Sequence, residues 1–459
     1  MFLSMLEARL PAPKRWRQRA SATAVRARDG SERSVLISEI GLKVAESGIR
    51  LILGFLVTAI VIRRLGPERF GAFTYIWSLY AIATAAAGLG LYQVLQRRIT
   101  TGSESRQSTL RAIVVVRIGS SFVGAGALAA AAMAGAGQDI RVGLVIAGLG
   151  LVLGLAETFV ILLQFTRGSA AVGRARLIAF VAGAVARVAI VVVHPSLPAF
   201  VAATLIEPAV LWGLTAASLR REESLRREES HRPVDQPRAG WRTYGELIRE
   251  GIPFLASGLF VIVYMRIDVV LLKRWSTAHE VGVYGAATRL SELAYFIPVA
   301  VAGAAAPKLL ATFAIEPMDA LRAVHRLTAA LAGFALAFIA ATWCVGPLVL
   351  RAAFGSGFAA SGSVLQIHVF SCLGVFVGVM RESWFLATNR GHLTLLCTAG
   401  GALINVGLNA WLIPQQGARG AAIATAVAYG AAALVFPLLF PEGRQFLGLS
   451  RAIRRPRVA

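Results

Sequence analysis

The sequence predicts an all-α, polytopic membrane protein of twelve transmembrane helices, in two six-helix bundles related by a parallel pseudo-two-fold repeat. Three observations carry this prediction. Of 459 residues, 56% are apolar and 15% charged, where a soluble chain would have about 25% charged. Apolar stretches long enough to cross a bilayer recur along the chain, which excludes a soluble enzyme, a disordered chain and a secreted disulfide scaffold. Finally, landmarks of the first half return in the second at offsets of 210 to 211 residues.

The twelve spans fall at 39–62, 72–95, 112–134, 142–165, 172–193, 197–218, 248–272, 283–306, 327–350, 362–385, 392–412 and 418–440. At 1.5 Å per residue, even the shortest crosses a hydrocarbon layer of about 30 Å. His194-Pro195-Ser196 separates the fifth and sixth, because proline marks a tight turn there rather than the middle of one long helix.

Lys plus Arg number 47 and Asp plus Glu 24, a formal charge of +23. The cations cluster between spans, so membrane topology accounts for most of them without nucleic acid. With the N-terminus in the cytoplasm, the inside loops hold Arg97, Arg98, Arg106 and Arg111, then Arg167, Arg174 and Arg176, then Arg220, Arg221, Arg226 and Arg227. Outside loops are poorer, apart from Arg63, Arg64 and Arg69 after the first span and Lys273 and Arg274 after the seventh. The expectation is a multi-pass protein of the bacterial cytoplasmic (inner) membrane with both termini inside. Residues 1–38 form a basic tail and 39–218 the first lobe. A charged linker at 219–247, with a tandem Arg-Arg-Glu-Glu-Ser, leads to the second lobe at 248–440. Residues 441–459 form a second basic tail.

The repeat is visible in particular residues. Leu36-Ile37-Ser38-Glu39 matches Leu247-Ile248-Arg249-Glu250, Arg63-Arg64 matches Lys273-Arg274, and Phe70-Gly71 matches Val281-Gly282. Six spans per half give equivalent helices the same direction, as in transporters with parallel repeats. Two similar bundles with a seam between them suit alternating access.

Charges within spans are costly and usually face a bundle interior or an aqueous cavity. Glu46 and Arg50 lie in the first span, Arg117 in the third, Glu157 in the fourth, Arg187 in the fifth and Glu207 in the sixth. Arg266 and Asp268 lie in the seventh, Arg289 and Glu292 in the eighth, and Arg381 and Glu382 near the end of the tenth. Recurring arginines suggest a basic vestibule suited to an anionic head group such as a diphosphate, which guanidinium matches well. Pro253, Pro298 and Pro307 can bend their helices. Asn405 and Asn409, four apart in the eleventh span, can bond across helices. Cys344, Cys372 and Cys397 stand singly and predict neither metal nor disulfide. No P-loop, G-x-S-x-G or H-E-x-x-H motif is present, so neither an ATPase nor an enzyme is expected.

Two stretches resemble a known family. Arg64-Leu-Gly-Pro-Glu-Arg-Phe-Gly71 with Phe73-Thr-Tyr75 looks like the first-to-second-helix junction of the bacterial polysaccharide exporters and O-antigen flippases. These belong to the multidrug/oligosaccharidyl-lipid/polysaccharide superfamily. Val281-Gly-Val-Tyr-Gly-Ala-Ala-Thr-Arg-Leu-Ser-Glu-Leu-Ala-Tyr-Phe-Ile-Pro298 looks like the family's eighth helix, with Asp268 in a similar seventh. The resemblance covers roughly residues 34–440. It implies translocation of undecaprenyl-diphosphate-linked oligosaccharide for O-antigen, capsule or exopolysaccharide synthesis. Arg289 is then the foremost substrate-binding residue, with Arg50, Arg117, Arg187 and Arg266 beside it. Glu46, Asp268, Glu292 and Glu157 would shape the cavity or pair with the arginines. Membrane lipids, a polysaccharide polymerase and a chain-length regulator are the implied partners, with no nucleic acid. No cofactor is implied; a proton or sodium gradient is a candidate for coupling. The nearest alternative is a lipid II flippase, which commonly carries two more helices than the 19 residues after position 440 could form. A multidrug antiporter would favour an acidic site, a polysaccharide polymerase longer outside loops, and a membrane scaffold would have no use for paired charges.

Overall fold

The computed structural model describes the backbone of residues 30–101, 106–133, 137–167, 169–229 and 241–450, with side chains in the first helix from Leu53 onward. The N-terminal tail before residue 30, most of the linker beyond Glu229 and the last nine residues lie outside the described residues. No strand occurs among the described residues.

The first two spans meet at a kink in α1 (Gly30–Gly88), at Gly66, whose φ of 72° suits only glycine, just before Pro67. A turn at Leu89-Gly90 leads into α2 (Leu91–Thr101). The first half continues through α3 (Arg106–Met133), α4 (Gln138–Leu153), α5 (Ala156–Arg167), α6 (Ser169–Val193), α7 (Leu197–Thr204) and α8 (Ile206–Glu229). α6 stops immediately before His194-Pro195, and Ser196 opens α7, as the proline predicts. α8 carries helical backbone into the predicted linker.

The second half opens with α9 (Trp241–Trp275). Its eighth span is two helices, α10 (Ala278–Glu292) and α11 (Phe296–Ile315), joined by a tight turn at Leu293–Tyr295. The break falls just ahead of Pro298, which lacks the N–H an unbroken helix would need. There follow α12 (Pro317–Phe354), α13 (Ser361–His368), α14 (Ser371–Ala387) and α15 (Gly391–Gly430). α15 holds the eleventh span and most of the twelfth, with a break at Gly417 where φ is 53°. A short helix, α16 (Pro441–Phe446), follows.

Ten helical segments of the described residues are long and apolar enough to cross a membrane. Two of them, Leu53–Leu95 and Gly391–Leu439, run 43 and 49 residues and are broken internally. Each is two spans, which restores the twelve.

The chain packs as two compact units. The first holds the described residues up to Val57 and those of Leu79–Leu259; the second holds Thr58–Ser78 and the described residues from Phe260 onward. Two long helices therefore change unit part-way. In the first unit, Leu91, Val94 and Leu95 of α2 pack with Ile113, Phe159 and Leu247. In the second, Phe376, Trp384 and Phe385 of α14 centre a larger core with Phe313 and Leu331.

Within the second unit the repeat becomes a contact. A Cβ on Gly71 would lie 1.8 Å from the Ala278 carbonyl oxygen, and one on Gly282 would lie 1.9 Å from that of Pro67. Gly71 and Gly282 are 211 residues apart, and so are Pro67 and Ala278. The two contacts are thus one contact written twice, each helix opening meeting the other's backbone, as across a two-fold axis. Only hydrogen fits at either glycine. Beside this crossing, Thr277 caps α10 by accepting from the Glu280 amide at 3.2 Å. The Glu280 carboxylate in turn accepts from the Ala418 amide at 2.8 Å, where helix resumes after Gly417.

Candidate functional site

The predicted site residues divide between the two units. The backbone at Glu46 and Arg50 is helical, but their side chains lie outside the described residues. In the first unit, Arg117 of α3 donates through Nη1 to Thr158 Oγ1 at 2.7 Å. Glu157, its sequence neighbour, instead pairs with Arg176 of α6 at 2.7 Å. Arg187 of α6 meets Glu207 of α8 at 3.2 Å. The Nε atoms of Arg117 and Arg187 are sealed from solvent without hydrogen-bond partners. Each guanidinium therefore holds more donors than its neighbours use.

In the second unit, Arg266 of α9 lies 3.6 Å from Glu292 at the end of α10, with both side chains one-fifth exposed. Arg289 is partly buried one turn earlier on α10. Asp268 is only 3% exposed. It accepts from the Tyr284 hydroxyl of α10 and, at 2.7 Å, from the backbone amide of Val269. Thr425 adds a longer contact at 3.4 Å. Asn405 reaches Thr425 at 3.5 Å across the Gly417 break, and Asn409 donates to Asn405 at 3.0 Å. Polar groups from four spans thus converge on one buried carboxylate, and the short contacts rather than the long ones carry the network. Next to it, Ser291 and His368 Nδ1 are 2.7 Å apart, and the His368 ring meets Tyr284 edge-on.

Sequence reading placed Asp268 and both asparagines within spans but did not find Tyr284, Thr425, Ser291 and His368 as their surroundings. The advance signals were Tyr284 and Ser291, both inside the most specific resemblance stretch. It also read Arg98 as a loop cation. In the structure Arg98 forms a bidentate ion pair with Glu250 at the start of the seventh span.

A third group lies on α14. Arg381, 2% exposed, donates through Nη1 to the Ala432 carbonyl, and its Nη2 is 3.7 Å from Glu382. Arg381 and Glu382 line a cavity of about 290 Å³ with Tyr264, Tyr295 and Tyr429. No cluster of metal-binding side chains occurs among the described residues.

Solved structures of the MOP superfamily share this fold. An inward-facing multidrug resistance MATE family transporter of that superfamily superposes with a TM-score of 0.64 at 18% identity, covering 87% of this chain and 95% of its own. The lipid II flippase MurJ, in an inward closed conformation, superposes at 0.69 and 12% identity, covering 89% and 90%. A MOP superfamily transporter from Pyrococcus furiosus, described by the reverse polarity of its binding pocket, superposes at 0.58 and 18% identity, covering 89% and 96%. At these identities the likeness establishes the fold alone. No curated protein matches the sequence significantly. The sequence itself supplies the family: residues 42–312, more than half of the chain, match the polysaccharide biosynthesis proteins. The chain belongs to that family and is a multi-pass membrane protein.

Proposed function

We propose that the protein is a flippase that carries undecaprenyl-diphosphate-linked oligosaccharide repeat units across the bacterial cytoplasmic membrane by alternating access. The product would serve O-antigen, capsule or exopolysaccharide synthesis. The observation that carries this reading is a set of guanidinium groups inside the spans of a polysaccharide biosynthesis family member. A diphosphate presents several charged acceptors, and arginine is the side chain best shaped to meet them. Arg289, with Arg50, Arg117, Arg187 and Arg266, would hold the head group. Glu46, Glu157, Asp268 and Glu292 would tune the field around it, while the lipid trails in the bilayer. The chain carries out no bond-making step in this scheme. A proton or sodium gradient is the proposed energy source, with a polymerase and a chain-length regulator acting on the delivered lipid.

The test is transfer of a defined undecaprenyl-diphosphate oligosaccharide in proteoliposomes. Arg289→Ala should reduce transfer while inserting normally; full transfer by that variant would remove Arg289 from the mechanism. Deletion in cells should leave lipid-linked repeat units on the cytoplasmic face, whereas accumulation on the outer face would overturn the flippase assignment. The fold of MurJ favours one second reading, transport of lipid II. Preferential transfer of lipid II in the same vesicles would establish it.

A further inference from the structure

We propose that the cavity among α9, α11, α14 and α15 of the second unit is a binding site for a single-chain amphiphile with one anionic head group, a carboxylate or a phosphate monoester. The cavity, about 290 Å³, is near the lower limit of small-molecule sites. It has room for a head group and the first carbons of a chain. Its polar end is built by a defect in the twelfth span. Residues Ala431–Val435 form a wider turn, and Pro437 follows. In such a turn the Ala432 carbonyl would look to the amide of residue 437, which proline lacks. Arg381 fills that vacancy with Nη1, as side chains do for backbone groups freed inside membranes.

That bond uses one of five guanidinium donors. Nη2 stands 3.7 Å from Glu382, beyond hydrogen-bond reach. Nε is sealed without a partner. A buried cation with one hydrogen bond and the Phe385 ring 5.9 Å from its centre is costly, and an anionic head entering the cavity that Arg381 lines would meet its charge. Glu382 is the competing carboxylate. Its side chain is 48% exposed, so it has room to swing aside as an anion arrives.

The rest of the wall is apolar. The stacked rings of Tyr264 and Tyr429, 4.2 Å apart, suit the junction between head and chain. Val261 and Val299 line the cavity and are themselves 41% and 58% exposed, so a longer chain can leave between them. None of these residues belongs to the arginine set assigned to the diphosphate above, and the inference stands whether or not that transport reading holds.

Native mass spectrometry of the full-length, detergent-solubilised protein tests it, with decyl phosphate, decanoate, decanol and inorganic phosphate as probes. Wild type should retain one molecule of decyl phosphate or decanoate and bind decanol and inorganic phosphate at least tenfold more weakly. The tighter of the two anions identifies the natural source as a lipid phosphate or a free fatty acid. Arg381→Gln should weaken the anion at least tenfold, and Glu382→Gln should tighten it about threefold. Because Arg381→Gln orphans the Ala432 carbonyl and could unfold the chain, Gly378→Leu is the second variant. A Cβ there meets only Ala433, at 4.0 Å, so leucine fills the cavity and should abolish retention. Retention of the anion by folded Gly378→Leu, or equal retention of decanol by wild type, would overturn the proposal.

Discussion

The two units handle the same problem, charge inside a membrane, in different ways. In the first, four described charges have separate local partners: Arg117 with Thr158, Arg176 with Glu157, Arg187 with Glu207, Arg98 with Glu250. In the second, Asp268 sits within a connected set of hydroxyls and amides drawn from four spans, with Arg266 and Glu292 alongside. A chain whose halves share a helical plan has not kept a shared polar interior. The difference teaches that the repeat constrains backbone crossings, whereas side chains between those crossings have been free to diverge.

Four measurements would break or sharpen that contrast, each read as thermal or chemical unfolding of the purified protein in mild detergent. The largest effect is expected at the symmetric crossing. Gly71→Ala and Gly282→Ala each drive a methyl into a backbone carbonyl, where no side chain can rotate away, and should each cost about 3 kcal/mol or more. If one of the pair were tolerated, the two contacts would not be equivalent.

Next, Asp268→Ala removes the buried carboxylate from the Tyr284 hydroxyl, leaving it only Thr425 Oγ1 at 3.3 Å, and should cost about 3 kcal/mol. Glu207→Ala in the first unit should cost about 1–2 kcal/mol, because it breaks a single ion pair in which Glu207 is 37% exposed. Equal losses would erase the distinction between network and pair. A double-mutant cycle of Asp268→Asn with Tyr284→Phe should show a coupling of about 1–2 kcal/mol. Coupling near zero would mean that the carboxylate is held by its other contacts. The smallest effect belongs to Glu157→Gln. Its pair with Arg176 is over 40% exposed on both sides, so the change should stay below about 1 kcal/mol.

Most of the backbone plan was legible because apolar length and proline position act locally. The stop at His194-Pro195-Ser196 and the 211-residue offset between Gly71 and Gly282 needed no knowledge of packing. The breaks at Gly66 and Gly417 fall in the gaps the sequence leaves between spans, 63–71 and 413–417, and have the positive φ values that glycine permits. The break inside the eighth span at Leu293–Tyr295 was harder, because Pro298 marks a bend without fixing where the helix yields. Side-chain partners were the least legible. Asp268 meets Tyr284 only because two helices cross at one rotational phase, and Arg98 finds Glu250 across 152 positions. The Arg381–Ala432 contact depended on a wide turn before Pro437 that apolar patterning does not register.

The paired crossing of Gly71 and Gly282 also bears on how the chain can change over time. In a dimer of two identical six-span subunits, one glycine codon would supply both contacts, and any substitution would strike both at once. In this single chain the same crossing needs two codons, each able to mutate alone. Carrying both halves in one chain thus doubles the number of sites at which the joint can be lost, while allowing every position around it to specialise on one side only.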